Sequence, residues 1–269
     1  MSHWLLACLI PAALCAQTWK KDLVFEATFD GTIDARTGKG DKKLYSAINY
    51  KEQAAAKPGL EGTDVEHARG AGRRGDALRF KTKNTKAVFY KADGNVPFDP
   101  KNWTGTISFW LKLNPDEDLA PGFCDPIQVT DKAYNDSAIW VDFTKDDKPR
   151  HFRLGVFGAL SAWNPNKLES DKNPDFNNRL VVVKKAPFAR DRWTHVAITF
   201  AKLGSGAGSA TLYLNGAAQG STSAIKEIFD WNVANGAIRL GVNYVGLMDD
   251  VAIFRRALSA KEIGEIGKR

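Results

Sequence analysis

Apolar and polar residues alternate along most of this 269-residue chain, and that two-residue period is the strongest constraint on its fold. In Thr106–Leu113, for example, Ile107, Phe109 and Leu111 share one face. Successive side chains of a strand point to opposite faces, so this period predicts half-buried β-strands. The segments with this pattern are Leu23–Phe29, Ala77–Phe80, Ala87–Tyr90, Thr106–Leu113, Ser137–Phe143, Phe152–Phe157, Leu180–Lys184, Trp193–Phe200, Ala210–Asn215, Ala237–Val242 and Leu247–Phe254.

Short clusters of Gly, Pro, Asn and Asp separate these segments, as at Asn114–Asp116 and Gly204–Gly206. Such residues favour turns for backbone reasons. Many short strands with this punctuation predict an all-β antiparallel sandwich or barrel. No internal repeat and no Pro- or Ser-rich linker divides the chain, so we expect one domain over residues 17–269.

The strong helix signal lies near the end of the sequence. Ser259 precedes Glu262 at capping-box spacing, which predicts a short helix over Ala260–Ile266 that docks on the sandwich. Two stretches, Gly31–Arg74 and Ser161–Asn178, are predicted to be long loops, and loops of that length in a compact domain are usually functional or mobile.

The first sixteen residues contain no Lys, Arg, Asp or Glu and end in small residues. This pattern predicts a secretory signal peptide cleaved after Ala16, although its n-region lacks the usual Lys or Arg. Leu5–Cys8 also resembles a lipobox, so a lipid anchor is the alternative. The apolar stretch is shorter than the roughly 20 residues that a membrane span needs, and we expect no membrane span elsewhere.

Two of the three cysteines, Cys8 and Cys15, lie in the predicted signal peptide. Cys124 would then be the single thiol of the mature domain, so no internal disulfide is expected. We predict that Cys124 is a small buried hydrophobic residue.

The formal net charge is +7. Long-range attraction draws a basic exported protein to acidic polysaccharides and anionic surfaces. The basic residues are nevertheless spread over Lys39–Lys43, Arg69–Arg74 and Lys81–Lys86, without a helical stripe or an RNA-binding signature. The sequence therefore favours a solvated surface and predicts no nucleic-acid partner.

Several motifs follow one another in a set order: Phe29–Gly31, Gly75–Phe80, Thr106–Lys112, Trp193–Ala197, Leu212–Gly216, Gly246–Phe254 and Arg256–Ser259. Together they resemble the laminin G-like jelly-roll family of concanavalin A-like lectin/glucanase folds. The resemblance implies two curved antiparallel sheets, frequently a structural calcium ion, and recognition of an extracellular glycan or a cell-surface protein. Residues Pro115–Arg192 exceed the family pattern, and we expect the specificity of this protein to lie there.

The resemblance places the first and last strands side by side, which would bring Asp30 and Asp249 together. Ca²⁺ is a hard cation that takes oxygen ligands, so these two carboxylates are the predicted calcium ligands, with Asp250 the weaker choice. In the alternative, Asp30 caps its own Asp-Gly turn and Asp249 accepts hydrogen bonds from neighbouring loop amides.

A candidate ligand site comes from residues that face away from the apolar side of their strands. Trp140 and Asp142 share such a face, and Arg153 has the same position on the next predicted strand. An indole stacks on the C–H face of a sugar while a charged pair binds its hydroxyls. Trp140 could equally be a packing residue. Trp163, in a polar loop, is predicted either to anchor a ligand or to fasten the loop to the domain.

The carboxylates of the sequence bear on catalysis, because the fold that the resemblance implies also houses glycosidases. Retaining enzymes need two carboxyl groups about 5–5.5 Å apart. Laminarinase-like relatives carry Glu-x-Asp-x-x-Glu, whereas the nearest run here, Glu169–Asp171, lacks the second Glu. We therefore expect a secreted, non-catalytic binding domain. The alternatives are a polysaccharide hydrolase or lyase built around Asp142, Arg153 and His195, and a protein–protein adhesion module.

Overall fold

The computed structural model describes residues 18–62 and 64–268, so the predicted signal peptide lies outside the described residues. The strands are β1 Leu23–Ala27, β2 Tyr45–Ala47, β3 Lys57–Pro58, β4 Val65–Ala68, β5 Ala77–Phe80, β6 Ala87–Lys91, β7 Trp103–Lys112, β8 Cys124–Thr130, β9 Ala138–Phe143, β10 Phe152–Phe157, β11 Val181–Val183, β12 Thr194–Leu203, β13 Ser209–Leu214, β14 Ala217–Ser221, β15 Ala237–Val242 and β16 Gly246–Phe254. The α-helices are α1 Pro115–Asp118, α2 Leu160–Trp163, α3 Pro174–Asn178 and α4 Ala260–Ile266. Short 3-10 helices cover Thr18–Asp22, Tyr50–Ala55, Ser170–Lys172 and Val233–Asn235.

These strands form two antiparallel sheets of eight strands each, which confirms the predicted sandwich. The first sheet has the order β14-β13-β12-β7-β16-β5-β4, with β1 also paired to β16. The second sheet has the order β11-β10-β9-β8-β15-β6-β2-β3. Every segment that the alternation predicted to be extended is a strand here, with small differences at its ends.

The two ends of the domain meet in the first sheet. Strand β1 runs antiparallel to β16, with Ala27 opposite Val251 and Leu23 opposite Phe254. The family resemblance implied this neighbourhood, and the structure confirms it.

The core lies between the sheets and takes the apolar face of each predicted strand. Ile107 and Phe109 of β7 face it from the first sheet, and Ile139 and Val141 of β9 face it from the second. Each such side chain contributes about 1.5–3 kcal/mol when fully buried. Cys124 joins this core as a free, buried thiol whose pKa is raised by burial, so the prediction of a small buried hydrophobic residue is confirmed.

Both predicted long loops contain regular structure, so that expectation was wrong. Residues 31–74 hold β2, β3, β4 and the 3-10 helix Tyr50–Ala55, which starts at Asn49 because its side chain accepts the amides of the first turn. Residues 161–178 hold most of α2, the 3-10 helix Ser170–Lys172 and α3, which is capped by Asn173 and has Pro174 at its first position. Asn caps and an N-terminal Pro allow helices too short to show periodicity.

Helix α4 has the predicted bounds and the predicted capping box. The Ser259 side chain accepts a hydrogen bond from the Glu262 amide, and the Glu262 side chain accepts one from the Ser259 amide. Ile263 and Ile266 pack against the outer side of the first sheet with Tyr213. Within the described part of the chain, no helix is both long and apolar enough to cross a bilayer.

Candidate functional site

The outer face of the second sheet brings three of the predicted ligand-binding residues together. Arg153 on β10 stands directly opposite Asp142 on β9, and Gly155 stands opposite Trp140. Trp140, Asp142 and Arg153 all line a cavity of about 550 Å³, which we call the first cavity. The segment that carries α2 and α3 contributes to its walls through Glu169, Ser170, Phe176 and Asn177.

Asp142 and Arg153 form a bidentate ion pair in this cavity. Arg153 Nε donates to Asp142 Oδ1 over 2.8 Å, and Nη2 donates to Oδ2 over 2.5 Å. The Arg153 guanidinium also lies over the Phe123 ring, 5.0 Å from its centre. Burial raises the pKa of Asp142, while Arg153 opposes that shift. The two hydrogen bonds between Asp142 and Arg153, together with the contact between Arg153 and Phe123, therefore hold this ion pair in one geometry.

Asp125 adds a second carboxyl group to the first cavity. The Gln128 side-chain amide donates to it. Burial and the nearby charge of Asp142 raise the pKa of Asp125 far above the usual range of an aspartate. This raised pKa favours the protonated form of the carboxyl, which can donate a hydrogen bond. The alternation did not reveal Asp125, because β8 carries Pro126 and a register shift between Cys124 and Ile127.

Trp140 is a supporting residue more than an exposed platform, since only 2% of it is accessible. Its indole lies against Gly155, where an added Cβ would come within 2.2 Å of Cζ2. It also stacks on Phe157, with ring centres 5.9 Å apart and planes 8° apart. Trp140 Nε1 donates to the Tyr134 carbonyl over 2.5 Å. The indole thus fixes the cavity wall and the adjacent loop.

Trp163 lies outside the residues that line the first cavity. It is 4% exposed, it packs against Phe157 and Phe176, and its Nε1 donates to the Asn135 carbonyl over 2.9 Å. The structure therefore favours the second of the two interpretations, in which Trp163 fastens its segment to the sheet. The polar surroundings in the sequence suggested exposure, but Trp163 ends α2 and turns toward the sheet.

The exposed aromatic rings at the first cavity are Phe123 and Tyr134, at 42% and 40% accessibility. Sequence reasoning missed both, although each interrupts a polar or Gly-rich loop where an aromatic residue has no strand to join. The Tyr134 hydroxyl is 2.9 Å from Ser170 Oγ and so connects the loop after β8 to the opposite wall. Phe123 and Tyr134 both fall within Pro115–Arg192, where specificity was expected.

His195 does not belong to this cavity, because it lies on β12 of the other sheet. It is fully buried, its Nε2 is 2.9 Å from Ser108 Oγ, and it packs against Trp110. Burial and the charge of Arg73 lower its pKa to about 3, so it stays neutral. A catalytic group of Asp142, Arg153 and His195 is therefore not assembled.

The predicted calcium ligands lie where the two ends of the domain meet. Asp249 is completely buried; its Oδ1 accepts the Asp250 amide over 2.8 Å and its Oδ2 accepts the Arg73 amide over 2.7 Å. Asp30 Oδ1 accepts the Asp76 amide over 3.0 Å. Burial, the charge of Asp250 and a smaller effect of Asp30 raise the pKa of Asp249 to about 8.

The surroundings of Asp30 and Asp249 determine whether these two carboxylates can bind a cation. The segment from Arg73 to Asp76 connects the two carboxylates, because the Arg73 amide donates to Asp249 and the Asp76 amide donates to Asp30. Carboxylate oxygens are the hard donors that Ca²⁺ takes as ligands. Across residues 18–62 and 64–268, no cluster of three or more His, Cys, Asp and Glu side chains is arranged as a metal site. A calcium ion here would take its remaining ligands from backbone carbonyls and water.

Residues 84–264 match the family model Laminin_G_3, described as the concanavalin A-like lectin/glucanases superfamily. The chain belongs to this family. The matched residues include the whole first cavity and extend into α4. A search of curated protein sequences gives no significant match.

Solved structures share the fold at low sequence identity. Domain 4 of AbnA, a GH43 extracellular arabinanase from Geobacillus stearothermophilus, in complex with arabinotriose, is similar with a TM-score of 0.57 and 18% identity over 91% of this chain and 98% of that one. The botulinum neurotoxin serotype D ligand-binding domain in complex with N-acetylneuraminic acid gives 0.57 and 11% over 93% and 52%. The botulinum neurotoxin DC binding domain in complex with rat synaptotagmin II gives 0.58 and 12% over 93% and 52%. This chain spans about half the length of the two neurotoxin domains.

Proposed function

We propose that this protein is a non-catalytic glycan-binding domain and that the first cavity holds the sugar. The observation that carries the proposal is the pair of exposed rings, Phe123 and Tyr134, beside the buried Asp142–Arg153 pair. Aromatic rings stack on the C–H faces of sugars, and fixed polar groups orient the hydroxyls. Similar folds hold arabinotriose and N-acetylneuraminic acid, which supports a glycan as the ligand class.

The polar groups of the first cavity are already held in place before a ligand arrives. Arg153 is fixed by two hydrogen bonds to Asp142 and by its contact with Phe123. Ordering a free side chain on binding costs about 0.5–1.5 kcal/mol, and a fixed one avoids most of that cost. This preorganisation therefore raises the affinity for a hydroxyl-rich ligand, whose individual contacts with the protein are weak.

Tyr134→Ala tests the proposal. Binding is measured by retention of the full chain on immobilised glycans, including arabinan and glycans that end in N-acetylneuraminic acid. Loss of a ring at the centre of a binding site costs about 2 kcal/mol or more, so we expect affinity to fall about 30-fold. Trp140→Ala is a poorer test, because removing a buried, stacked indole costs about 3–5 kcal/mol of stability by itself.

Ile48→Ala is the matched control, because Ile48 is 71% exposed and lies outside the first cavity. It should leave glycan retention unchanged. If Tyr134→Ala and Phe123→Ala both keep wild-type retention while remaining folded, the sugar does not bind here. A protein partner, as in the adhesion alternative, would then be the better assignment for this surface.

A hydrolase is the second candidate function, since Asp125 and Asp142 place two carboxyl groups in one cavity. A protonated carboxyl beside an ionised one is the pairing that glycoside hydrolysis uses. Here Asp142 is occupied by Arg153 and Asp125 by Gln128, which favours binding over catalysis. Release of reducing ends from the same glycan panel, abolished by Asp125→Asn, would establish the hydrolase instead.

We also propose that Asp30 and Asp249 bind a structural Ca²⁺ ion. The pairing of β1 with β16 supports this, because Asp30 follows β1 and Asp249 lies on β16, at the junction of the two ends of the domain. The ion would neutralise the carboxylates and tie the loop that carries Arg73 and Asp76 to the first sheet.

We further propose that the protein is exported and acts outside the cell or at its surface. The apolar first sixteen residues and their small-residue ending support this. N-terminal sequencing of the protein recovered from the producing cell should begin at Gln17. A mature start at Met1 would contradict export by cleavage, and a lipid-modified Cys8 would establish the anchored alternative.

A further inference from the structure

A second cavity, of about 440 Å³, opens on the same face of the second sheet. Cross-strand pairs join Trp140 to Gln128, Gln128 to Arg239 and Arg239 to Phe89. Directly opposed residues of neighbouring strands share a face. Trp140 of the first cavity and Arg239 of the second cavity therefore lie in one row, two strands or about 10 Å apart.

Arg239 is the central polar residue of the second cavity. It is 6% exposed, and its guanidinium lies over the Tyr50 ring, 4.9 Å from the ring centre. Its Nε is buried and has no hydrogen-bond acceptor among the described residues. A buried donor without an acceptor is costly, so a ligand oxygen at this position would recover free energy.

Two residues that line the same cavity each carry a buried acceptor atom without a donor in the described chain, Gln53 Oε1 and Asp131 Oδ1. The other polar atom of each side chain is engaged. Gln53 Nε2 donates to the Asn235 carbonyl over 3.2 Å, and Asp131 Oδ2 accepts the Asn232 amide over 2.7 Å. Both side chains are therefore held in a fixed orientation, and one oxygen atom of each has no hydrogen-bond donor among the described residues.

The ligand must satisfy a donor and two acceptors at once. Sulfate offers acceptors alone, so it would pair with Arg239 and leave the oxygens of Gln53 and Asp131 unsatisfied. A hydroxyl group both donates and accepts, and a saccharide presents several on one rigid ring. The stacked rings of Tyr45 and Phe89, with centres 5.9 Å apart, add apolar surface for the C–H face of a sugar.

We propose that the second cavity is a separate saccharide-binding site, in which Arg239 donates to a sugar hydroxyl that Gln53 and Asp131 help to hold. This site stands independently of the first cavity, because the two cavities have no lining residue in common. With both cavities occupied, the protein would bind two sugar units on one face of the second sheet.

The test follows nitrogen-bound protons of the full chain by NMR during titration with L-arabinose, D-glucose, D-mannose and N-acetylneuraminic acid, and separately with sodium sulfate. The Arg239 Nε–H signal reports on the second cavity and the Trp140 Nε1–H signal on the first. We expect at least one sugar to shift the Arg239 signal in a saturable way and sulfate to leave it unchanged. Because each signal belongs to one cavity, failure of this inference and failure of the proposed function are separate results.

Two variants complete the test. Arg239→Met keeps a long apolar stem against Tyr50 but removes every donor, and Gln53→Met removes the acceptor at a partly exposed position that is easier to change without unfolding. Hydrogen bonds to a charged group are worth about 1.5–3 kcal/mol, so Arg239→Met should lower the affinity for the sugar about 10-fold or more, read from the signals of Gln53 and Asn235.

Gln219→Met, on the exposed strand β14 of the other sheet, is the matched control. The inference is overturned if no sugar shifts the Arg239 signal, if sulfate alone shifts it, or if both variants bind like the wild type.

Discussion

Burial decides what each aromatic and titratable side chain of this protein can do. Alternation placed Trp140, Asp142 and Arg153 on one face of their strands, and the structure shows them lining one cavity. Alternation does not reveal what covers that face. The folding of residues 158–180 back onto the sheet buries the indoles of Trp140 and Trp163 and leaves the ring of Tyr134 exposed.

Titration of His195 should be visible in the pH dependence of stability. Burial lowers its folded-state pKa from 6.5 to about 3. Between these values the unfolded chain binds a proton that the folded protein does not, so the free energy of unfolding falls as the pH falls, by up to about 1.4 kcal/mol per pH unit. Urea denaturation from pH 7 to pH 3 should show a shallower acid-side decline for His195→Gln than for the wild type. Parallel curves would mean that His195 does not carry this effect.

Gly155 is required for the position of the Trp140 indole. Its ideal Cβ would lie 2.2 Å from Trp140 Cζ2, so Gly155→Ala must push the indole away from the sheet. Overpacking of this kind costs about 1–3 kcal/mol, and the shift should also weaken glycan retention at the first cavity. Gly264→Ala, in α4 with no atom near its ideal Cβ, should instead raise the free energy of unfolding by about 0.5–1 kcal/mol. Equal effects of the two substitutions would contradict this account.

Individual elements were predictable where a periodic or capping signal is local. Helix α4 was found from Ser259 and Glu262, which bond to each other without help from the rest of the fold. Strand β8 was missed because Pro126 and a register shift interrupt its alternation. Its pairing with β9 and β15 is a long-range property that a local pattern does not contain.

Glu262 links α4 to the start of the domain, and removing its charge should destabilise the attachment of both segments. Its carboxylate accepts two hydrogen bonds from Arg256, which in turn donates to Asp22, and it also accepts from Thr18 Oγ1. Arg256 accordingly holds the pKa of Glu262 far below its usual range. We expect Glu262→Gln to lower the free energy of unfolding by about 1–2 kcal/mol, measured by chemical denaturation. Glu265→Gln, three residues further along α4, is the control and should change the free energy of unfolding by less than about 0.5 kcal/mol.

At the scale of the whole molecule, the order of the motifs was more informative than any one of them. The family resemblance that this order carries implied that the beginning and the end of the domain lie together, and Ala27 does pair with Val251. It did not define the ligand set at that junction. Loop residues such as Arg73 and Asp76 reach the carboxylates of Asp249 and Asp30 through their backbone amides, and backbone contacts carry no signature in side-chain identity.

The calcium proposal makes a prediction about the stability of the whole domain. A ligand that binds the folded state alone raises the free energy of unfolding by about 2.7 kcal/mol at 100 times its dissociation constant. Melting of the full chain should therefore shift upward in calcium chloride relative to a chelator, and less in magnesium chloride, because Mg²⁺ demands a tighter octahedral site. Asp30→Asn and Asp249→Asn should each abolish the calcium shift, whereas Asp93→Asn, an exposed residue away from the junction, should retain it. Identical melting in calcium and in chelator would show that the amide hydrogen bonds of Asp30 and Asp249 are sufficient to close the ends of the domain without an ion.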